Sequence, residues 1–316
     1  MEIALRNREI LSRFYDLNIW QRGDERAPHK PLLVLYAIGR LMRGDKELAY
    51  IDIKEDLINL LKEFGPPRRY YRPQDPFWRL RNEKASVWHI PNEYMIGETM
   101  RSNRISTGDA IIKDLEEYGV GSFIDPIVRK FERNHRLAYE VAMNLLDAHF
   151  PITYYEDIFQ AVGISYPTQI RFYTTETETE TRTTRPRDPR FRQKILNAYE
   201  NKCAVCGFQV RLRDNLVALE AAHIKWHRAE GPDIESNGLA LCSLHHKLFD
   251  RGAFRLSLDW EILVSQNANG SSGFDDWLMR FHSEPINFPQ SRSYYPKAEF
   301  IEWHAEQVFK GDYREL

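Results

Sequence analysis

The chain has 316 residues, 42% of them hydrophobic and 28% charged, with a formal net charge of −2. This predicts two domains, each large enough for its own core, and it excludes a polycation, so any nucleic-acid surface must come from local clustering. The absence of any apolar run of about 18 residues excludes a membrane-spanning helix, and three cysteines exclude a disulfide framework.

The opening MEIALRNREI is charged where a secretion signal would be apolar, so the expected location is the reducing cytoplasm. Residues 4–20 have helical periodicity, with Leu5, Ile10, Leu11, Phe14 and Leu17 able to share a face. After the polar stretch QRGDERAPHK, Pro31 sits in the first turn of a predicted helix, PLLVLYAIGRLMRG, ending near Gly44. It is apolar nearly all round and is therefore expected to be buried. Residues 51–64 predict another helix, stopped by Gly-Pro-Pro at 65–67.

The next stretch, RRYYRPQDPFWRLRNEKASVWHI, interleaves Arg68, Arg69, Arg72, Arg79 and Arg81 with Tyr70, Tyr71, Phe77, Trp78 and Trp88. Guanidinium groups can pair with phosphates while aromatic faces meet sugar or base. Equally, the stretch reads as a strand pair with an aromatic core and a solvated arginine face. Both readings expect a hairpin, with a turn at Pro73-Gln74-Asp75 and a strand over FWRL. Arg101 and Arg104, in MRSNRISTG, are further candidates for DNA contacts, in what otherwise reads as an ordinary exposed loop. Residues 109–118 and 125–149 predict helices, the second opened by Asp125-Pro126. A helix over 154–162 ends at Gly163, and the first domain is bounded at residues 1–167.

Residues 168–189, including TTETETETRTTRPRDP, read as a linker of low complexity. The second domain spans 190–316. A helix over 189–200 brings Arg190, Arg192 and Lys194 to where they can touch phosphate. Cys203-x2-Cys206 and Cys242-x2-His245 then form two clips, the ligand count and spacing of a closed tetrahedral zinc site. His223 follows a strand-like run, LVALEAAHI. Asn237 lies in SNGLAL after a turn at 231–233, and His246 opens a helix, HHKLFDRG, ending at Gly252. His227 reads as a surface residue. Strands are expected within 253–266, a short helix at 277–281, and a tail that packs back through Trp303 and Phe309.

The trio His223, Asn237 and His246, interleaved with the zinc clips, resembles the HNH nucleases, a strand–strand–helix hairpin around one divalent cation. The resemblance implies that His223 is the general base, Asn237 holds the His-bearing loop and His246 is a ligand of a catalytic Mg²⁺ or Mn²⁺. Asp250, four residues on and on the same helix face, is a candidate second ligand. A neutral imidazole can take a proton from water near neutral pH, and a cation stabilises charge at the scissile phosphate. Many HNH enzymes carry a metal-binding Asp or His just before the base; here that position is Ala222, and Glu220 is not expected simply to substitute.

A second resemblance covers nearly the whole chain. APHKPLLVLYAIGRL, the PFWRL segment, LLDAHFPITYYEDIFQAVG, RDPRFRQKIL and WHAEQVFKG are similar to the sulfur-binding domain joined to HNH nucleases, McrA-like type IV restriction enzymes that recognise phosphorothioated DNA. In that family sulfur sits in a shallow apolar cup around a proline. The matching segment is Asp75-Pro76-Phe77, with Asp75 where the family often has an aromatic residue. His29 and Lys30 match the basic pair that contacts DNA, and Arg79 lies in the same segment.

The expected fold class is therefore α+β: an N-terminal mixed α/β DNA-reading domain and a C-terminal ββα-metal nuclease domain with a structural zinc. The expected function is a modification-dependent restriction endonuclease acting on double-stranded phosphorothioated DNA, as a possible homodimer. The alternatives are a reader of a modified base such as methylcytosine, or an inactive zinc-stapled DNA-binding protein.

Overall fold

A computed structural model describes residues 5–22, 25–100, 106–165 and 188–315. The chain divides into two compact units, Met1–Gln169 and Ile170–Leu316. Arg101, Arg104 and nearly all of the expected linker lie outside the described residues.

The first unit runs α1 (Asn7–Tyr15), β1 (Trp20–Arg22), β2 (Glu25–Ala27), α2 (His29–Met42), β3 (Leu48–Ala49), α3 (Tyr50–Phe64), α4 (Gln74–Arg79), β4 (Trp88–His89), β5 (Glu98–Met100), β6 (Ser106–Ala110), α5 (Ile112–Tyr118), β7 (Val120–Phe123), α6 (Asp125–Arg133), α7 (His135–His149) and α8 (Tyr155–Val162). Helix α2 is its axis and packs against α3, α4, α6, α7 and α8. Leu32, Leu33, Val34, Leu35 and Ile38 are essentially inaccessible, as the apolar circumference of this segment requires. Each such side chain contributes about 1.5–3 kcal/mol of burial free energy. A small sheet of order β3-β7-β4 lies beside them, and Phe77, Trp88, Phe123 and Phe131 form a chain of edge-to-face contacts at 5.7 Å each.

Three expectations fail here. The PFWRL segment is helix, not strand: α4 and a 3-10 turn, Leu80–Asn82, occupy it. Pro73 is the N-cap residue and Pro76 falls in the first turn, where neither missing N–H is needed, so two prolines start a helix instead of a hairpin. The expected helix over 125–149 is two, because Asn134 leaves helical geometry (φ −144°, ψ 81°) and caps α7 by accepting from the Leu137 N–H at 3.2 Å. Likewise, residues 109–110 belong to strand β6 and not to the helix after it.

The second unit runs α9 (Phe191–Ala198), β8 (Val210–Leu212), β9 (Asn215–Val217), β10 (Leu219–His223), β11 (Gly238–Cys242), α10 (Ser243–Asp250), β12 (Phe254–Leu256), β13 (Ile262–Val264), α11 (Ser272–Trp277) and α12 (Ala298–Gln307). Strands β10 and β11 are antiparallel, with Ala222 opposite Leu239 and His223 opposite Gly238. Helix α9 and helix α10 both pack on this ribbon. One core joins Phe191 and Ile195 of α9, Leu239 and Leu241 of β11, Phe249 of α10 and Phe300 and Ile301 of α12. Gly252 ends the α10 segment at φ +72°, and a Cβ there would meet the Val308 carbonyl at 2.1 Å, so the tail closes directly over this turn. No described helix is long and apolar enough to cross a membrane.

Candidate functional site

The Cys and His clips converge. His245 Nδ1 lies 3.1 Å from Cys242 Sγ and 3.7 Å from Cys203 Sγ, and Cys206 Sγ is 4.0 Å from Cys242 Sγ. All four ligand atoms lie within 4.8 Å of one another. The edge of a tetrahedral zinc–sulfur site is about 3.8 Å, so the set fits zinc in both donor chemistry and size. His245 Nε2 donates to the Trp277 carbonyl at 2.7 Å, which fixes the tautomer that leaves Nδ1 for the metal. The Asn287 amide reaches the carbonyls of Cys203, Ala204 and Val205 at 3.2–3.3 Å and steadies the first clip from 82–84 residues away, beyond the reach of any local motif.

The second constellation forms around β10, β11 and α10. Asn237 is inaccessible to solvent and clasps the loop that follows His223. Its Oδ1 accepts from the Lys225 N–H at 2.8 Å, and its Nδ2 donates to the Lys225 and Pro232 carbonyls at 3.0 Å each. Gly231 makes the clasp possible, since a Cβ there would stand 1.8 Å from the Lys225 carbonyl oxygen and 2.9 Å from Asn237 Nδ2. His223 stacks flat on Phe191, with centroids 3.9 Å apart, and its Nε2 lies 2.7 Å from Asp233 Oδ1. Burial opposes the charge on Asp233, but the Asp188 backbone N–H and His223 outweigh it and hold this carboxyl below its ordinary range. Asp233 is thus an acceptor, and the His223 ring donates. Asp233 fell outside the sequence reading because the Gly-Pro-Asp triplet presents itself as a turn.

His227 is not a surface residue. Its side chain is 9% exposed, and its Nε2 lies 3.8 Å from Asp233 Oδ2. The basic residues at the start of α9 are also occupied within the unit: Arg190, its N-cap residue, and Lys194 pair with Asp188, and Arg192 donates to the Leu219 carbonyl.

On the other face of β10, His246 lies between two carboxylates. Glu220 Oε2 is 2.6 Å from its Nδ1, and Asp250 Oδ2 is 3.3 Å from its Nε2. Burial alone would lower the pKa of His246, but Asp250 and Glu220 outweigh this and raise it. Residues 220 and 222 share a face because the strand period is two, so Glu220 lies on the Ala222 side of the strand.

The recognition candidates of the first unit gather around α2 and α4, and several are structural. Lys30 pairs with buried Glu83 and donates to the Asn18 carbonyl at 3.1 Å. Phe77 is wholly buried between Tyr50 and Trp88, so its side chain cannot line a surface cup; α4 turns it into the core. Pro76 is buried beside it. Asp75 is half-buried and pairs with Arg72 at 3.2 Å; burial raises its carboxyl above the ordinary range. Exposed Arg79 pairs with Asp109. The pKa of His29 is pushed down to about 4, by burial first and then by the Arg68 guanidinium, and its Nε2 has no hydrogen-bond partner among the described residues.

Comparison with known proteins matches two family models. The "ScoMcrA-like, DNA sulfur-binding domain" matches residues 7–166, just over half of the chain, and an "HNH endonuclease" model matches residues 203–257. Among solved structures, the "Sulfur binding domain of SprMcrA complexed with phosphorothioated DNA" is 22% identical over 52% of this chain and 98% of that one, with a TM-score of 0.40. The corresponding domain of ScoMcrA is 16% identical over 49% of this chain and 94% of that one, with a TM-score of 0.40. A "Modification dependent TagI restriction endonuclease" is 23% identical, and the match covers 37% of each chain, with a TM-score of 0.28. The chain thus spans little more than a third of that enzyme's length. No curated protein matches. The chain belongs to the family with the ScoMcrA-like DNA sulfur-binding domain, and its second unit carries an HNH endonuclease domain.

Proposed function

We propose that the protein is a type IV restriction endonuclease that reads phosphorothioated double-stranded DNA with its first unit and cuts the phosphodiester backbone with its second. The observation that carries this reading is the combination of a sulfur-binding match over one unit with the clasped His223–Asn237 ribbon and its adjoining His246 helix in the other. Sulfur is larger and less strongly hydrated than the oxygen it replaces, so an apolar surface that gains from burying it rejects a hydrated oxygen.

In this reading His223 is the general base. Asp233 and the Phe191 ring fix its plane and its Nε2 proton, so that its Nδ1 takes the proton from the attacking water. Asn237 is a positioning residue that holds the loop after the base. His246 belongs to the site of a divalent cation, Mg²⁺ or Mn²⁺, which supplies charge stabilisation at the scissile phosphate. The Cys203, Cys206, Cys242 and His245 set holds a structural Zn²⁺. One such site cuts one strand, so a homodimer is the simplest route to a double-strand break.

The test is cleavage of matched duplexes, unmodified, cytosine-methylated and phosphorothioated in many sequence contexts, in Mg²⁺ and in Mn²⁺. Selective cutting of the phosphorothioated set is the expected result. Selective cutting of the methylated set moves recognition to a base pocket, and binding without cutting reduces the protein to a reader.

A further inference from the structure

In the nuclease reading, the position before the base should supply a carboxylate or imidazole to the cation, and Ala222 supplies nothing. A carboxylate, Glu220, stands three residues before the base. Glu220 leaves β10 on the Ala222 face and places Oε2 2.6 Å from His246 Nδ1, while its Oε1 accepts from Ser243 Oγ at 2.6 Å. Asp250 sits at the opposite nitrogen, Nε2, at 3.3 Å.

These two carboxylates cannot share one ion with the same imidazole, because they address nitrogens on different sides of the ring. Among the described residues, indeed, the Cys₃His set is the only group of three metal-binding side chains that converges. Accessibility decides between them. The Asp250 side chain is 3% exposed and the Glu220 side chain 42%. A cation that must meet a phosphate of bound DNA has to lie on the accessible side of His246.

We infer that Glu220 and His246 Nδ1 are the protein ligands of the catalytic cation. Asp250, one turn on and buried, is a positioning residue. Its carboxylate lies 3.3 Å from Nε2, so its charge favours the tautomer that carries the proton there and leaves the Nδ1 lone pair toward Glu220. This is the carboxylate–histidine–metal arrangement that orients ligating histidines generally. A hard carboxylate oxygen and one imidazole, with the rest of the shell left to water and phosphate, suits Mg²⁺ or Mn²⁺. The inference rests on the nuclease reading only for the presence of a catalytic cation; the residue assignment comes from the geometry.

The test measures metal binding without DNA. Mn²⁺ is titrated by electron paramagnetic resonance into the zinc-loaded full chain, wild type and carrying Glu220→Gln, Asp250→Asn or His246→Ala. Glu220→Gln and His246→Ala should each weaken Mn²⁺ at least about tenfold. A ligand swap separates ligand from positioning residue. In Glu220→Cys, added Cd²⁺ should produce sulfur-to-cadmium absorption beyond that of the wild type, and in Asp250→Cys it should not. Zinc content and circular dichroism establish that each variant is folded. Unchanged Mn²⁺ affinity in Glu220→Gln, or a cadmium–sulfur band in Asp250→Cys alone, overturns the assignment. Glu220-dependent Mn²⁺ binding in a protein that cuts no DNA would preserve this inference and sink the nuclease reading. Cutting that survives Glu220→Gln at full Mn²⁺ affinity would do the reverse.

Discussion

The imidazole of His223 is held between the ring of Phe191, 3.9 Å away and parallel, and the carboxylate of Asp233, 2.7 Å from its Nε2. Two constraints from different parts of the chain thus fix one ring in plane and in proton position. The first prediction follows from this dyad. His223→Ala should reduce cleavage by about 100- to 10,000-fold, the usual contribution of a positioned base, with DNA affinity unchanged. Asp233→Asn should give a smaller loss, since the base remains but its tautomer is no longer imposed. Single-turnover cleavage and equilibrium binding measured in parallel check both, and unaltered cleavage in His223→Ala would remove the base assignment.

The sequence carried the trio and the clips because each is a local motif: the residues are few, their types are chemically demanding and the spacings are short. It carried α2 for a similar reason, since an all-round apolar segment has only one place to go. The partners of those motifs were harder to read. Asp233 is disguised by a turn signature, and Asn287 reaches Cys203 across more than 80 residues. Strand periodicity puts residues 220 and 222 on one face, but it does not show that the Glu220 side chain reaches His246 on α10. The PFWRL segment misled because aromatic content suggests strand, whereas the placement of two prolines decides for helix. The ion pair of Lys30 was not legible either, because Glu83 lies 53 residues away in the chain.

The Asn237 clasp should be worth more to folding than its surface suggests. Asn237→Ala removes three hydrogen bonds and leaves the Lys225 N–H and two carbonyls in a closed loop, a cost of about 2–4 kcal/mol. Gly231→Ala forces a Cβ against the Lys225 carbonyl and should disrupt the same loop. Denaturant unfolding should place both variants well below the wild type, with Gly231→Ala losing cleavage although it touches no reacting atom.

The zinc clips make the second unit depend on metal. Cys203→Ser, or chelation under conditions that strip Zn²⁺, should unfold Ile170–Leu316 and spare Met1–Gln169, because structural zinc contributes folding free energy directly. Limited proteolysis and zinc content check this. A chelated protein that keeps its second unit protected would show that the Cys₃His set is only a core cluster.

Lys30 is predicted to act chiefly through stability. Its side chain is 16% exposed and that of Glu83 only 5%, so the pair is shielded from solvent. Lys30→Met strands a buried carboxylate and should destabilise the first unit by about 3 kcal/mol. Adding Glu83→Gln should recover much of that loss. The thermal midpoints of the two single variants and the double variant decide it. Loss of DNA binding in Lys30→Met at unchanged stability would return the residue to the DNA interface.

His304 gives the second unit a pH dependence away from the metal clips. It stacks on Phe249 at 3.8 Å, its Nε2 donates to the Phe249 carbonyl at 3.1 Å, and it is almost fully buried. Its pKa is pushed down to about 3, first by burial and then by the Arg255 charge, against the opposing pull of the Phe249 carbonyl. The folded state therefore keeps this ring neutral where the unfolded chain, with an ordinary histidine, takes up a proton. Unfolded molecules bind more protons in that range, so stability falls as pH drops from about 6.5 toward 3, by up to about 1.4 kcal/mol per pH unit. His304→Phe keeps the stack and removes the titration. Its unfolding free energy should change little at pH 7 and decline less steeply below pH 6 than that of the wild type. Parallel curves for the two proteins across that window would show that His304 titrates equally in both states.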